Sequence, residues 1–333
     1  MRESLIPLLR CPRCGGEGTF ELATAEAGPR EARGGSLECG GCGHVAAIKR
    51  GVVDLMPEPP DVVRREAAGL ERFADTMRAD GWDRERVLNL PDEDIPYWRG
   101  QKRQFERLLE RVELRPGQTL LDVGSNTCWA SSAFAERGLE VVALDIATAE
   151  MQGLYTADWW MEDRDVYFER VLTPMFDPAL ASEVFDWVFC CEVLHHNSPE
   201  DLGRTFAELH RVLRPGGALL VLNEGLKFPT NLKPDHGVEV AQYEGNENVY
   251  FAHQYLGAAR RAGFDVELLE PAVPFFTGEP LWLMPEAGVL GSTKVYAQQL
   301  LRRSRAGRRG YLWWTVLLGP DGNLSMICWK GGA

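Results

Sequence analysis

The stretch that most constrains this chain runs from Thr119 to Asp145, TLLDVGSNTCWASSAFAERGLEVVALD. A short apolar run (Leu120, Leu121, Val123) leads into Gly124–Cys128, and a helical pattern follows from Ala130 to Arg137. Gly138 ends it, since glycine takes the left-handed conformation after a helix without strain. A second apolar run, Val141–Leu144, stops at Asp145. Strand, tight loop, helix, strand and acid make the βαβ unit that binds an adenosine-containing cofactor at the C-terminal edge of its strands. Asp145 follows Gly124 by 21 positions, close to the ~20 expected of a carboxylate that accepts ribose hydroxyls.

These residues resemble motifs I and II of the class I S-adenosylmethionine-dependent methyltransferases, whose loop is usually hydrophobic-D-x-G-x-G-x-G. The resemblance implies cofactor contacts from Asp122, Gly124, Ser125, Asn126, Thr127, Cys128, Asp145 and Ile146. Asn126 and Cys128 stand where the family has glycine. Asn tolerates positive φ better than most residues, so Asn126 is a mild departure. Cys128 is a larger one and is expected to narrow the space beside the cofactor.

A second run, Phe185–His196 (FDWVFCCEVLHH), resembles motif IV of small-molecule methyltransferases. It reads as a buried strand that brings Cys191 and Glu192 to the cofactor edge. Ser198-Pro199-Glu200-Asp201 then opens a helix by cap, N1 proline and acidic first turn, with Leu202, Phe206, Leu209 and Val212 as its buried face. Leu213–Gly217 and the strand Ala218–Leu222 complete the family's RxLxPGG signature. The implied fold is α/β: a doubly wound, mostly parallel seven-stranded sheet. His195 and His196 have two readings, structural residues beneath the cofactor or, for His195, a catalytic group.

Eight cysteines in a chain read as cytoplasmic point to metal or buried thiols. Cys11-Pro-Arg-Cys14 and Cys39-Gly-Gly-Cys42 form two knuckles 24 residues apart. Such turns aim four thiolates at one ion, a closed structural zinc site with no open position. A β ribbon is expected between them, with Ala25–Gly35 as its loop. A piece of about 55 residues is too small for its own core, so metal is expected to supply most of its folding free energy. The region resembles zinc ribbons fronting some RNA guanine methyltransferases, those of their small activator subunits, and those fused to bacterial methyltransferases.

The organisation read from these signals is a zinc ribbon over 1–57, a helical linker over 58–95 and a methyltransferase domain over 96–333. Asp61–Asp80 is helical, with Val62, Val63, Leu70, Phe73 and Met77 in an imperfect stripe. Phe105, Leu108, Leu109 and Val112 mark the next helix. Tyr97 and Trp98, at its start, read either as a lid over the cofactor or as core aromatics. Thr148–Asp163 is expected to be helical and Val166–Val171 to be the third strand. Glu169 and Asp177 are the acids nearest the place where family members hold the adenine amino group, and neither aligns well. Further helices are expected over Val249–Ala262 and Val289–Ser304, and strands over Asp265–Leu269, Tyr311–Leu318 and Asn323–Trp329.

The polar segment Asn223–Tyr250 leaves the edge where an acceptor must lie. His236 and Glu224 are its candidate general bases; a divalent ion on His236, Glu239 and His253 is the alternative use of these residues. The net charge of −13 argues against a bulk electrostatic grip on nucleic acid. Arg302, Arg303, Arg305, Arg308 and Arg309 are a local exception, read as a solvated face. No run reaches the ~20 apolar residues of a membrane span, and the first residues lack the apolar core of a signal peptide. The expected activity is methyl transfer from S-adenosylmethionine to a polar small molecule, a saccharide or secondary-metabolite intermediate. An rRNA or tRNA base methyltransferase and an inactive methyltransferase-fold binding protein are the alternatives.

Overall fold

A computed structural model of the chain describes residues 1–56, 58–227, 248, 250–269 and 323–332, with the single residues 304, 306, 307 and 310. The helix expected over Val289–Ser304, the strand expected over Tyr311–Leu318 and the arginine cluster lie essentially outside these residues. Four strands open the chain: β1 (Phe20–Ala27), β2 (Ala32–Cys39), β3 (Val45–Lys49) and β4 (Val52–Asp54). Helices α1 (Asp61–Ala79), α2 (Arg84–Leu88) and α3 (Pro96–Leu109) follow. Then strands and helices alternate: β5 (Thr119–Val123), α4 (Trp129–Ala135), β6 (Glu140–Asp145), α5 (Ala157–Asp163) and β7 (Glu169–Leu172). The remaining elements are β8 (Phe185–Cys191), α6 (Asp201–Val212), β9 (Leu213–Gly225), α7 (Ala252–Arg261), β10 (Phe264–Leu269) and β11 (Asn323–Lys330).

Seven strands take the order β7-β6-β5-β8-β9-β11-β10. β5 pairs parallel with β6 and β8, while β11 runs antiparallel between β9 and β10. This is the seven-stranded sheet expected from the motifs. Alternation along the strands sends residues to two cores. Leu121, Val123, Val188 and Cys190 pack on the side of α6 and α7, and Leu120, Trp187 and Phe189 on the side of α3 and α4.

The sheet does not stop at β7. β4 pairs parallel with it (Val53 opposite Val171), and β3, β2 and β1 continue outward to give eleven strands. Leu5, Leu9, Phe20 and Leu37 of the ribbon share a core with Val171 and Leu180. The ribbon therefore buries its apolar face against the larger sheet, where the sequence suggested a module held mainly by its metal. Motif reading carries no signal for which strand edge a module will cover.

Charge seals this junction. Arg170 of β7 is fully buried, bonds Asp158 of α5 at 2.9 Å and contacts the Glu31 carboxylate. Arg33 clamps Asp158 through both guanidinium nitrogens, at 2.7 and 2.9 Å. Burial alone would raise Glu31 and Asp158, but Arg170, with Arg33 at Asp158, outweighs it and holds both below the usual carboxylate range.

Four boundaries differ from expectation. The ribbon's loop is shorter than Ala25–Gly35, because β1 pairs with β2 as far as Ala27 and Ala32. Thr148–Asp163 is helical only from Leu154, because Met151 turns at φ 75° and its amide is held by Thr156 Oγ1 at 2.7 Å. The third strand starts at Glu169, not Val166, since Tyr167 is turned to bond Glu31 and Glu169. The helix expected from Val249 begins at Ala252.

Candidate active site

The C-terminal ends of β5, β6, β8 and β9 and the cavity-facing side of α1 surround a cavity of about 660 Å³. Gly124 opens the loop after β5 with φ +66°, and a β-carbon there would meet Val193 Cγ2 at 2.2 Å. Only glycine fits such a place. Asn126 (φ 45°) and Cys128 (φ 59°) keep the left-handed backbone that glycine usually supplies. The left-handed turn at Cys128 sends its side chain into the core, with Sγ near Asn126 O and Ser125 Oγ, and it does not line the cavity. The expected Cys128 contact, and the expected crowding, are thereby corrected. Asp122, Gly124, Ser125, Asn126, Thr127, Asp145 and Ile146 all line the cavity.

Asp145 ends β6 as a buried carboxylate. Its Oδ2 accepts from Asn126 N at 2.8 Å, and Oδ1 from Ile146 N and Ala147 N at 2.7 and 2.9 Å. Burial pushes it up to about 6 against these donors, with the Glu66 charge adding to the rise. Asp122 is raised to about 7, again chiefly by burial, although Ser131 Oγ donates to it at 2.5 Å.

Cys191 and Glu192 sit at the end of β8 and line the cavity. Glu192, at φ 50°, receives Gln101 Nε2 at 2.6 Å and the Tyr97 hydroxyl on the same oxygen, Oε2. Asn223 Nδ2 donates to Gln101 Oε1 at 2.5 Å, which fixes the orientation of that amide. Burial of its hydroxyl end and the Glu192 charge push the Tyr97 phenol well above 10, so it remains a donor. Tyr97 and Trp98 both line the cavity, and Trp98 packs edge-on against Trp129 at 5.9 Å. Trp98 thus serves as core aromatic and cavity wall at once.

Glu224 does not face the cavity. It is fully buried in β9 and accepts the backbone N–H of Val193, Leu194 and His195 at 2.8, 2.9 and 3.2 Å. Its Oε2 also lies 3.0 Å from His195 Nδ1. Burial alone would raise it, but His195 and these backbone donors outweigh that and hold it below the ordinary carboxylate range. The expectation of Glu224 as a direct base gives way to a carboxylate that fixes His195, which does line the cavity. His236 and Glu239 lie outside the described residues, and His253 is exposed, stacked on Phe251. Both described ends of the Asn223–Tyr250 segment meet the site's rim. Leu226 bridges Tyr250, Asn248 N donates to His195 O at 2.9 Å, and the Tyr250 hydroxyl donates to Asn197 O at 2.6 Å.

Sequence reasoning missed the part played by α1. The stripe Val62, Val63, Leu70, Phe73 and Met77 faces the cavity, together with buried Glu66. The imperfect periodicity was the available signal: a face turned to a ligand space need not match a core. Gln101 and Gln152, which bonds Asn126 Nδ2 at 2.8 Å, had none. Neither adenine candidate reaches the cavity. Glu169 binds Arg2 N and Tyr167 at the ribbon junction, and Asp177 pairs with Arg10 and Arg204.

In the ribbon, the sulfurs of Cys11, Cys14, Cys39 and Cys42 lie within 4.8 Å of one another. Cys11–Cys42 and Cys14–Cys39 are both 3.7 Å apart. A tetrahedron with Zn–S of about 2.3 Å has sulfur edges of about 3.8 Å, so this donor set fits zinc. Among the described residues it is the one group of possible ligands close enough to share an ion.

Residues 121–221 match the family described as methyltransferase domain. That stretch carries the methyltransferase-domain match, and the chain has the class I methyltransferase fold. It is 34% identical over 115 residues to the malonyl-[acyl-carrier protein] O-methyltransferase of Serratia marcescens, covering 34% of this chain and 42% of that enzyme. It is 33% identical over 125 residues to the demethylmenaquinone methyltransferase of Renibacterium salmoninarum, covering 37% and 48% respectively. The chain spans about half the length of the curated relatives it matches. In fold it is similar to geranyl diphosphate C-methyltransferase from Streptomyces coelicolor, with TM-score 0.51 at 16% identity over 82% of this chain and all of that one. Among the described residues no helix is long and apolar enough to cross a membrane.

Proposed function

We propose that this chain is an S-adenosylmethionine-dependent methyltransferase acting on a polar small molecule. One observation carries the reading: Gly124, where a β-carbon would collide with Val193, and buried Asp145 line one cavity at the ends of adjacent strands. When bound, the cofactor supplies a methyl group on a sulfonium. The motif I loop would hold its methionine part, and Asp145 its ribose. The aromatic and apolar walls, Trp98 and Trp129 among them, exclude water and suit a cation that loses charge as methyl leaves. His195, fixed by Glu224, would take the acceptor's proton at its remaining ring nitrogen. Cys191 and Glu192 border the same space, and positioning supplies much of the rate. The preference for a polar small molecule follows the acidic net charge and the motif IV type.

Calorimetry with S-adenosylhomocysteine tests the first half. Asp145→Ala is expected to weaken binding by about one to two decades, since a charge-assisted contact contributes roughly 1.5–3 kcal/mol. The sign of the pH effect follows from Asp145 lying near 6. Ribose hydroxyls donate to the ionised form, so affinity should be full above about 6 and fall as pH drops through it. Asp145→Asn should lose that limb; an unchanged dissociation constant and profile would remove Asp145 from the ribose site. A screen for products heavier by one methylene would then separate metabolite from RNA acceptors.

We also propose that the four cysteines hold one structural zinc. Cys14→Ser should release it and loosen the knuckles, because a closed four-sulfur site tolerates no missing thiolate. Metal analysis finding no zinc in protein purified without chelator would sink this assignment.

A further inference from the structure

The adenine end of the cavity lacks a carboxylate where family resemblance would place one. After β7 the wall is Pro174, Met175 and Phe176, while Asp177 is occupied by Arg10 and Arg204. Another buried carboxylate lines the cavity. Glu66, on the second turn of α1, is only 7% exposed, and its Oε1 lies 2.8 Å from His196 Nδ1. His196 adjoins Asn197, whose Nδ2 is 3.4 Å from Met175 Sδ, so this side of Glu66 leads to the wall after β7. Glu66 and Asp145 line the same cavity, as do Pro174, Met175 and Phe176. Glu66 is therefore a buried carboxylate in the same space as the ribose carboxylate and the apolar wall, the space that a base attached to that ribose would enter.

We propose that Glu66 reads the adenine of the cofactor by accepting a hydrogen bond from its exocyclic amino group. The inference rests on the cofactor reading above. An amine donates to a carboxylate, whereas the 6-oxo group of a hypoxanthine base would set one acceptor against another in a site with little water. Glu66 has oxygen lone pairs beyond the one turned to His196, because a carboxylate accepts at about four positions. Since α1 enters directly from the ribbon, the selecting group would be carried by the segment joining the two parts of the chain, and not by the methyltransferase motifs. This explains why those motifs gave no adenine contact.

The test is calorimetry on the full chain with S-adenosylhomocysteine and its 6-oxo analogue, S-inosylhomocysteine. Wild type should prefer the adenine compound, and Glu66→Leu should lose about ten- to a hundred-fold of affinity for it, the range for a hydrogen bond to a charged group. The same change removes the clash between two acceptors, so the 6-oxo compound should bind as well or better and the preference collapses. Glu66→Gln keeps a carbonyl acceptor and nearly the same volume, and should retain most of the preference. It also guards against a leucine variant that fails to fold, as judged by circular dichroism. An equal loss for both compounds would make Glu66 a packing or latch residue and overturn the proposal, as would an unchanged preference. Absence of S-adenosylhomocysteine binding by wild type would instead overturn the cofactor reading itself.

Discussion

Arg170→Ala is expected to destabilise the protein by about 3–5 kcal/mol, the cost of leaving a buried ion pair without one partner. Arg170 is fully buried, and its removal takes the most buried cation from Glu31, which is 6% exposed, and from Asp158, leaving Arg33, Arg50 and the N-terminus as their partners. It also withdraws a donor from Arg50 O at 3.1 Å. By contrast, Arg204, whose pair with Asp177 is half exposed, should cost no more than about 1 kcal/mol on truncation. Chemical denaturation of both variants gives the comparison. The pH dependence has a definite sign. Glu31 and Asp158 titrate below their ordinary values when folded, so their contribution is present above the unfolded carboxylate range and is lost as pH falls through the folded values. Arg170→Ala should flatten that acid limb. If it behaved like Arg204→Ala, the ribbon would not be docked by this network.

The network also shows what could be read in the chain and what could not. Residues 119–145 and 185–222 specified strand, loop and acid by local pattern, so the parallel heart of the sheet and the placing of Gly124 and Asp145 at one edge followed from them, and the seven-strand count from the resemblance they carry. The paired cysteines were legible for the same reason, since a knuckle is a local turn. Pairing of β4 with β7 is different in kind. It joins residues more than a hundred positions apart, and Arg170 reads locally as a charged residue within a short strand. Only the approach of Glu31 and Asp158 from separate segments makes its burial tolerable.

The site divides along the same line. Asn126 and Cys128 looked like losses because glycine was missing, yet the backbone there is left-handed all the same. Side-chain direction, which put Cys128 in the core, depends on that backbone and not on residue type. Glu224 looked like a base because it is an acid at the end of a central strand. Its four contacts with Val193, Leu194 and His195 exist only once β9 lies beside the turn after β8. A carboxylate so fully engaged serves better as an anchor than as a proton acceptor.

His195→Ala is accordingly expected to lower turnover by about 10²–10⁴, the usual contribution of a positioned general base, while S-adenosylhomocysteine affinity stays within a few-fold. The loss should fall on kcat, measured with an acceptor found by the methylation screen, and KM should move little, because the imidazole is assigned to the proton and not to binding. Added imidazole should restore part of the rate, since a cavity left beside Glu224 can admit the free base. A residue that merely shaped the pocket would show no such rescue. Glu224→Gln is a sharper probe of the same arrangement. Its amide would turn two donors toward a cluster of backbone N–H groups, so the turn carrying His195 should shift and turnover fall without loss of the residue itself. Unchanged turnover in His195→Ala would return His195 to a structural role beneath the cofactor. A matched loss of cofactor affinity would place it among the groups that bind the cofactor, leaving the acceptor's proton to a residue elsewhere on the rim.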